Sequence, residues 1–251
     1  MDPHYKALII TYTTVVAIWF ACYYFLKKSF SPSTEIFTPK KPYMEFAFAF
    51  LACLIILGIG QLYINGLLIP NPKNKSRIIE ALNQALIFSP TLVLVWIRKQ
   101  PLISLWLPKK NLLWRFGVGF FLSSLSLFVY WVVRENSAPL NFIFKNIYHP
   151  KNVSHMVQVI MEDLTIALLF VRLSSWIGGK WTLILVAFLF AAGHIPSMLS
   201  EGYSFTELGT LLLDSSLGVI VLLALYRSKD VAWFFLVHFV LDMTQFYGVT
   251  P

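Results

Sequence analysis

Apolar runs long enough to cross a bilayer recur along this 251-residue chain, and short segments carrying most of its lysines and arginines separate them. About 20 residues of helix cross the hydrocarbon core, whereas a barrel strand needs about 10. Hydrocarbon offers no water to backbone N–H and C=O groups, so a run of the longer kind is satisfied only as a helix. Composition agrees: 13% of residues are charged, against about 25% in soluble domains, and mean hydropathy is +0.69. The sequence predicts an all-α fold. It is a polytopic transmembrane helix bundle forming a single domain over residues 1–251, with about eight spans.

The spans are expected near residues 5–26, 44–69, 78–97, 112–133, 153–177, 181–199, 209–226 and 231–247. Pro90 is expected to kink the third, and Gly117 and Gly119 to admit close helix approach in the fourth. Residues 101–108 are too short to span and are placed at the membrane interface. Residues 134–152 read as a long polar loop that runs into Asn152-Val153-Ser154, a glycosylation sequon by pattern. No cleavable signal peptide is expected. The net charge of +8 sits in short loops, so anionic lipid headgroups, not nucleic acid, are the expected partner. Lysines and arginines are more numerous in loops leaving odd-numbered spans, which places the termini outside. Cys22 and Cys53 fall inside spans and read as small apolar residues, neither a disulfide nor a metal site.

Against this background two carboxylates stand out. Glu162 and Asp163 lie within the fifth run, where a carboxylate costs roughly 2.5–3.5 kcal/mol. His194 lies in the sixth run, and His238 and Asp242 in the eighth. Given alternating span directions, all five fall in one leaflet or close to midplane. His238 and Asp242 are at i and i+4 and share a helix face. A carboxylate beside a neutral imidazole can deprotonate water, and a second imidazole can donate to a developing oxyanion. Glu162, His194 and His238 also offer three ligands and an open fourth position to a zinc ion. The preferred reading requires no cofactor. The chain has no HExxH, GxSxG or Gly-rich phosphate loop. Other polar groups have quieter readings. Asp214, Ser215 and Ser216 read as interhelical packing, Glu80, Asn83 and Gln84 as headgroup contacts, and His155, two turns before Glu162, as interfacial.

Three segments resemble the CPBP family of intramembrane proteases, which includes the CAAX prenyl endopeptidases and Abi-type proteins. Its pattern is an acidic pair followed by Arg, then FxxxH, then HxxxN or HxxxD, each in a separate helix. Here these are Glu162-Asp163 with Ala167 where Arg is usual, Phe190 to His194, and His238 to Asp242. The similar region is 154–247, so spans five to eight would carry the active site. The resemblance implies an endopeptidase that hydrolyses a membrane-anchored or lipidated peptide, in a multi-pass protein of a prokaryotic cytoplasmic membrane. It assigns Glu162 and His194 to water activation, and His238 with Asp242 to the oxyanion. Asp163 keeps the charge of the second acid on a shorter arm. An ionised Asp242 cannot donate a hydrogen bond, so it would be protonated or would orient His238. Two other readings stand beside this one. Ala167 and Asp163 fit a catalytically inactive member acting in binding, immunity or scaffolding. The carboxylates would also fit proton relays in a transporter.

Overall fold

A computed structural model describes residues 3–25, 37–71, 76–134, 139–200, 202, 204 and 210–247. Among them the chain is all-helical, with no strand. The helices are α1 (Pro3–Phe25), α2 (Pro42–Ile64), α3 (Arg77–Ile87), α4 (Ser89–Ile97), α5 (Leu112–Val133), α6 (Leu140–Ile147), α7 (Val153–Ile177), α8 (Gly179–Gly193), α9 (Ile195–Ser200), α10 (Thr210–Ser228) and α11 (Val231–Tyr247).

Three helices, α1, α2 and α5, are long and apolar enough to cross a membrane by themselves. The α3–α4 pair makes a fourth candidate, bent by 50°. The bend falls at Phe88, just before Ser89-Pro90, where proline removes a backbone donor and crowds the preceding turn. At 25 residues α7 is longer than any of these but carries Glu162, Asp163 and Arg172. The apolar helix α8 has 15 residues and α11 has 17, about 22 and 26 Å at 1.5 Å per residue.

The centre of the bundle is α7, which packs against α2, α3, α8 and α11. Every residue from Asp163 to Leu173 is buried, so no side of this stretch faces lipid or water. A helix buried all round reads as apolar all round, and only Asp163, Thr165 and Arg172 interrupt this stretch. Thr165 of α7 meets Thr91 of α4, with hydroxyl oxygens 2.7 Å apart.

Several expectations are corrected. Span two ends at Ile64, where Asn65 and Gly66 turn the chain. Span six breaks at His194 into α8 and α9, with Pro196 just beyond the break. The expected polar loop contains the eight-residue α6, which buries Ile143 and Ile147 beside Val159 and Phe239. Asn152 is buried, and its side-chain amide donates to Asn146 O (2.7 Å) and Ile147 O (2.8 Å), so the sequon asparagine ties α6 to α7. Most of the 101–108 segment packs into the bundle. Ile103, Ser104, Leu105 and Trp106 are buried, and the Trp106 ring lies 5.0 Å from Phe170 and 6.3 Å from Tyr226. Asn83 is buried too, bonded through its amide to Ile69 N and O at 3.1 Å, while Glu80 accepts from Tyr63 and Gln84.

Of the two glycines expected to permit close approach, only Gly119 does so. A Cβ there would lie 2.7 Å from Trp233 O and 2.8 Å from Trp233 Cα, whereas one at Gly117 meets nothing within 4 Å. Backbone cannot yield as a flexible side chain can. Gly119→Val is expected to destabilise the α5–α11 contact by about 1–3 kcal/mol or more. The check is a lowered thermal unfolding midpoint in detergent, with Gly117→Val unchanged as the control.

Candidate functional site

The site is built where α7 and α11 cross. These helices run antiparallel, so rising residue numbers on α7 face falling numbers on α11. Asp163 of α7 meets His238 of α11, with Oδ1 and Nδ1 2.9 Å apart. His155, two turns earlier on α7, meets Asp242, one turn later on α11, through Nε2 and Oδ2. Asp163 is wholly buried, whereas the His238, His155 and Asp242 side chains are 16%, 22% and 32% exposed. The site therefore grades from a more buried inner pair to an outer pair with more access.

Glu162 accepts a hydrogen bond from Gln158 Nε2 at 2.9 Å. His155, Gln158 and Glu162 follow one another at helical spacing and form a polar row on α7. The ionisable side chains near enough to act electrostatically on Glu162 are those of His238, Asp242 and His194. His194 follows α8 as its C-terminal cap and is exposed. Phe190 bridges the two histidines, its ring edge-on 5.1 Å from His194 and 6.2 Å from His238. One further group comes from α1, where Tyr12 has Asp242 and Asp163 as electrostatic neighbours.

All five residues expected at the site thus lie at or beside one helix crossing, but their pairing differs from the expectation. The orienting partner of His238 is Asp163 on the facing helix, not Asp242 on its own. Asp242 takes His155, which was expected to be interfacial. Residues at i and i+4 share a face, but each can find its own partner across the interface.

The inner pair has a chemical consequence. When Asp163 is ionised, the His238 proton sits on Nδ1, and neutral His238 then presents a lone pair at Nε2. Only the imidazolium form presents a donor there. An oxyanion role for His238 therefore needs the protonated ring, with Asp163 as counter-ion. The second Asp163 oxygen, Oδ2, is buried without a hydrogen-bond partner among the described residues, and a proton or a water would satisfy it.

No guanidinium serves the acidic pair from Ala167, which is wholly buried. Arg172 is committed elsewhere. Its Nη1 donates to Ser104 O and Leu168 O, both at 3.0 Å, and its Nη2 to Gln100 Oε1. Gln100 in turn donates to Glu45 (2.8 Å), which pairs with Arg98. This second polar cluster is centred nine residues along α7 from Asp163, about 14 Å away. Ile166 to Val171, all buried and apolar, separate the two.

Among the described residues no three His, Cys, Asp or Glu side chains are grouped to hold a metal ion. No step is assigned to a metal. The side chains of Asp214 and Ser215 lie outside the described residues. No protein-family profile, curated protein or solved structure matches the chain.

The sequence reading missed His155 and Tyr12. His155 had a signal, the seven-residue spacing from Glu162. Tyr12 had none, because a tyrosine in a first apolar span has the look of an interfacial belt residue.

Proposed function

We propose that the chain is an intramembrane endopeptidase acting on a membrane-anchored or lipidated peptide in a prokaryotic cytoplasmic membrane. In this reading α1, α2, the bent α3–α4 pair, α5, α7, α8 with α9, α10 and α11 make eight crossings. The observation that carries it is the meeting of the α7 acids with the α11 histidine, Asp163 on His238 at 2.9 Å and Glu162 alongside. Ionisable groups at membrane depth are costly and are retained for function or for pairing. Here one carboxylate holds the imidazole while another lies adjacent.

Glu162 takes a proton from water, and the resulting hydroxide attacks the scissile carbonyl carbon. His238, protonated and held by Asp163, donates from Nε2 to the oxyanion. Glu162 returns its proton to the leaving amine as the C–N bond breaks. One water is consumed, leaving a carboxylate and an amine. His194 lies at the exposed edge and assists Glu162. Asp242, held by His155, lies one turn along α11 from His238.

A second reading draws on Ala167. With no arginine facing Glu162 and Asp163 among the described residues, the acids and histidines can serve as a packed polar crossing in a non-catalytic binding or scaffolding protein. The two readings separate in one assay. Purified full-length protein in nanodiscs is incubated in H₂¹⁸O with a library of prenylated and acylated membrane-anchored peptides. The hydrolytic reading expects product carboxylates carrying one ¹⁸O with wild type and none with His238→Ala. Peptide capture without cleavage would favour the scaffold.

A further inference from the structure

The two ends of the bundle differ in charge. One end gathers the starts of α2, α5 and α11 with the ends of α4, α7 and α10. Arg98 pairs there with Glu45, Gln100 with Arg172, and Arg115 with Asp230. Val231 N donates to Trp106 O at 3.0 Å, and the Trp106 ring meets Tyr226. Lys40 and Lys41 precede α2 at this end, Arg98 and Lys99 follow α4, and Lys109 and Lys110 precede α5. With Arg115, Lys180, Arg227 and Lys229 they make ten basic residues, the wholly buried Arg172 left out.

The opposite end joins Tyr63 of α2 to Glu80 of α3, Ser123 of α5 to Tyr148, and His155 of α7 to Asp242 of α11. Helix α1 runs from this end, where Tyr12 lies near Asp242, to the basic end, where Trp19 stacks on Trp233 at 5.7 Å. Among the described residues five lysines and arginines belong here: Lys6, Arg77, Arg134, Lys145 and Lys151. Short connections rich in Lys and Arg stay on the cytoplasmic side of a membrane. Residues 98–111 connect α4 to α5, Gly178 alone connects α7 to α8, and Lys229 and Asp230 connect α10 to α11. These are short connections, so the rule places the basic end in the cytoplasm.

The polar crossing belongs to the other end. Glu162 is nine residues from the start of α7 and fifteen from its end, about 14 and 22 Å along the axis. On α11, Asp242 is five residues from Tyr247 and eleven from Val231. Access follows the same direction. The outer pair, His155 and Asp242, lies towards this end and is more exposed than Asp163 and His238. Towards the basic end, Ile166 to Val171 of α7 are all buried and apolar. We propose that the site opens to the non-cytoplasmic face, and that its substrates are segments already carried across the membrane, cut beside the outer end of their anchor. A lipidated tail left on the cytoplasmic side would meet the buried apolar stretch of α7 instead of the site. The substrate class rests on the hydrolytic reading above, whereas the sidedness rests only on the chain crossing a membrane.

The test places single cysteines in full-length protein whose Cys22 and Cys53 are replaced by alanine, expressed in the native cell. Lys145→Cys, exposed on α6, marks the site end, and Lys110→Cys, exposed before α5, marks the basic end. Intact spheroplasts are treated with a charged, membrane-impermeant maleimide, and an unlabelled soluble cytoplasmic protein shows that they are sealed. Lys145→Cys is expected to label in intact spheroplasts, and Lys110→Cys only after permeabilisation. Should the cysteine-free background fail to fold, the same variants are made with Cys22 and Cys53 retained and read against the unsubstituted protein. Labelling of Lys110→Cys in sealed spheroplasts, or none of Lys145→Cys, would overturn the sidedness. Cleavage plays no part in this readout, so the expected labelling supports the sidedness even where hydrolysis fails. Peptide termini lost in Glu162→Gln cells are expected in segments open to the same impermeant reagent class, and their confinement to cytoplasmic segments would overturn the substrate class.

Discussion

Glu162→Gln is expected to lower kcat/KM for a cleaved peptide by about 10²–10⁴-fold, the range that a general base supplies, while the protein stays folded and inserted. The physical ground for both halves is local. Glutamine has the size of glutamate and keeps a side-chain carbonyl, so the hydrogen bond from Gln158 survives. What disappears is the capacity to take a proton from water. The fall should therefore lie in kcat, with KM little changed. Thermal unfolding followed by circular dichroism in the same detergent provides the folding control. Wild-type turnover by the folded variant would remove Glu162 from the mechanism.

The second large effect is expected at Asp163. Asp163→Asn keeps shape and a hydrogen-bonding atom next to His238 Nδ1, but it removes the charge that balances an imidazolium. The variant amide can also present N–H₂ to Nδ1 and select the other tautomer. Either outcome deprives Nε2 of its role, and a loss of about 10²–10⁴-fold in kcat is expected. Asp242→Asn, in the outer pair with His155, is expected to lose less than Asp163→Asn. A merely structural role for Asp163 predicts lost stability without a changed pH–rate profile. The mechanism predicts a changed profile in protein of near wild-type stability. The two variants are compared side by side across pH 5–9.

Much of this arrangement was legible in the chain. The bounds of α7 and α11 coincide with the expected spans 153–177 and 231–247, because each is an apolar run with a plain turn at one end. Gly178 adopts φ 81°, and Lys229-Asp230 form the turn before Val231. The pairing was not legible. Spacing along one helix says which residues share a face, but the register of α7 against α11 depends on packing between the two helices. For this reason Asp242 looked like the partner of His238 and His155 looked idle. The buried 101–108 segment was also hidden. Its eight residues cannot cross a membrane, and only contact with Phe170 and Tyr226 shows where Trp106 goes. The break at His194 had a signal in Gly193 and Pro196, which bracket the histidine and favour a helix end there.

The central claim, that Glu162, Asp163 and His238 together cut peptides in the membrane, is tested most directly in the native cell. The chromosomal copy is replaced by Glu162→Gln at equal protein level, and new protein termini in the membrane fraction are mapped by quantitative mass spectrometry. The account predicts one or more termini, lying in or beside a membrane anchor, that are present with wild type and absent with the variant. Identical sets of termini in the two strains, with both proteins folded and inserted, would contradict it.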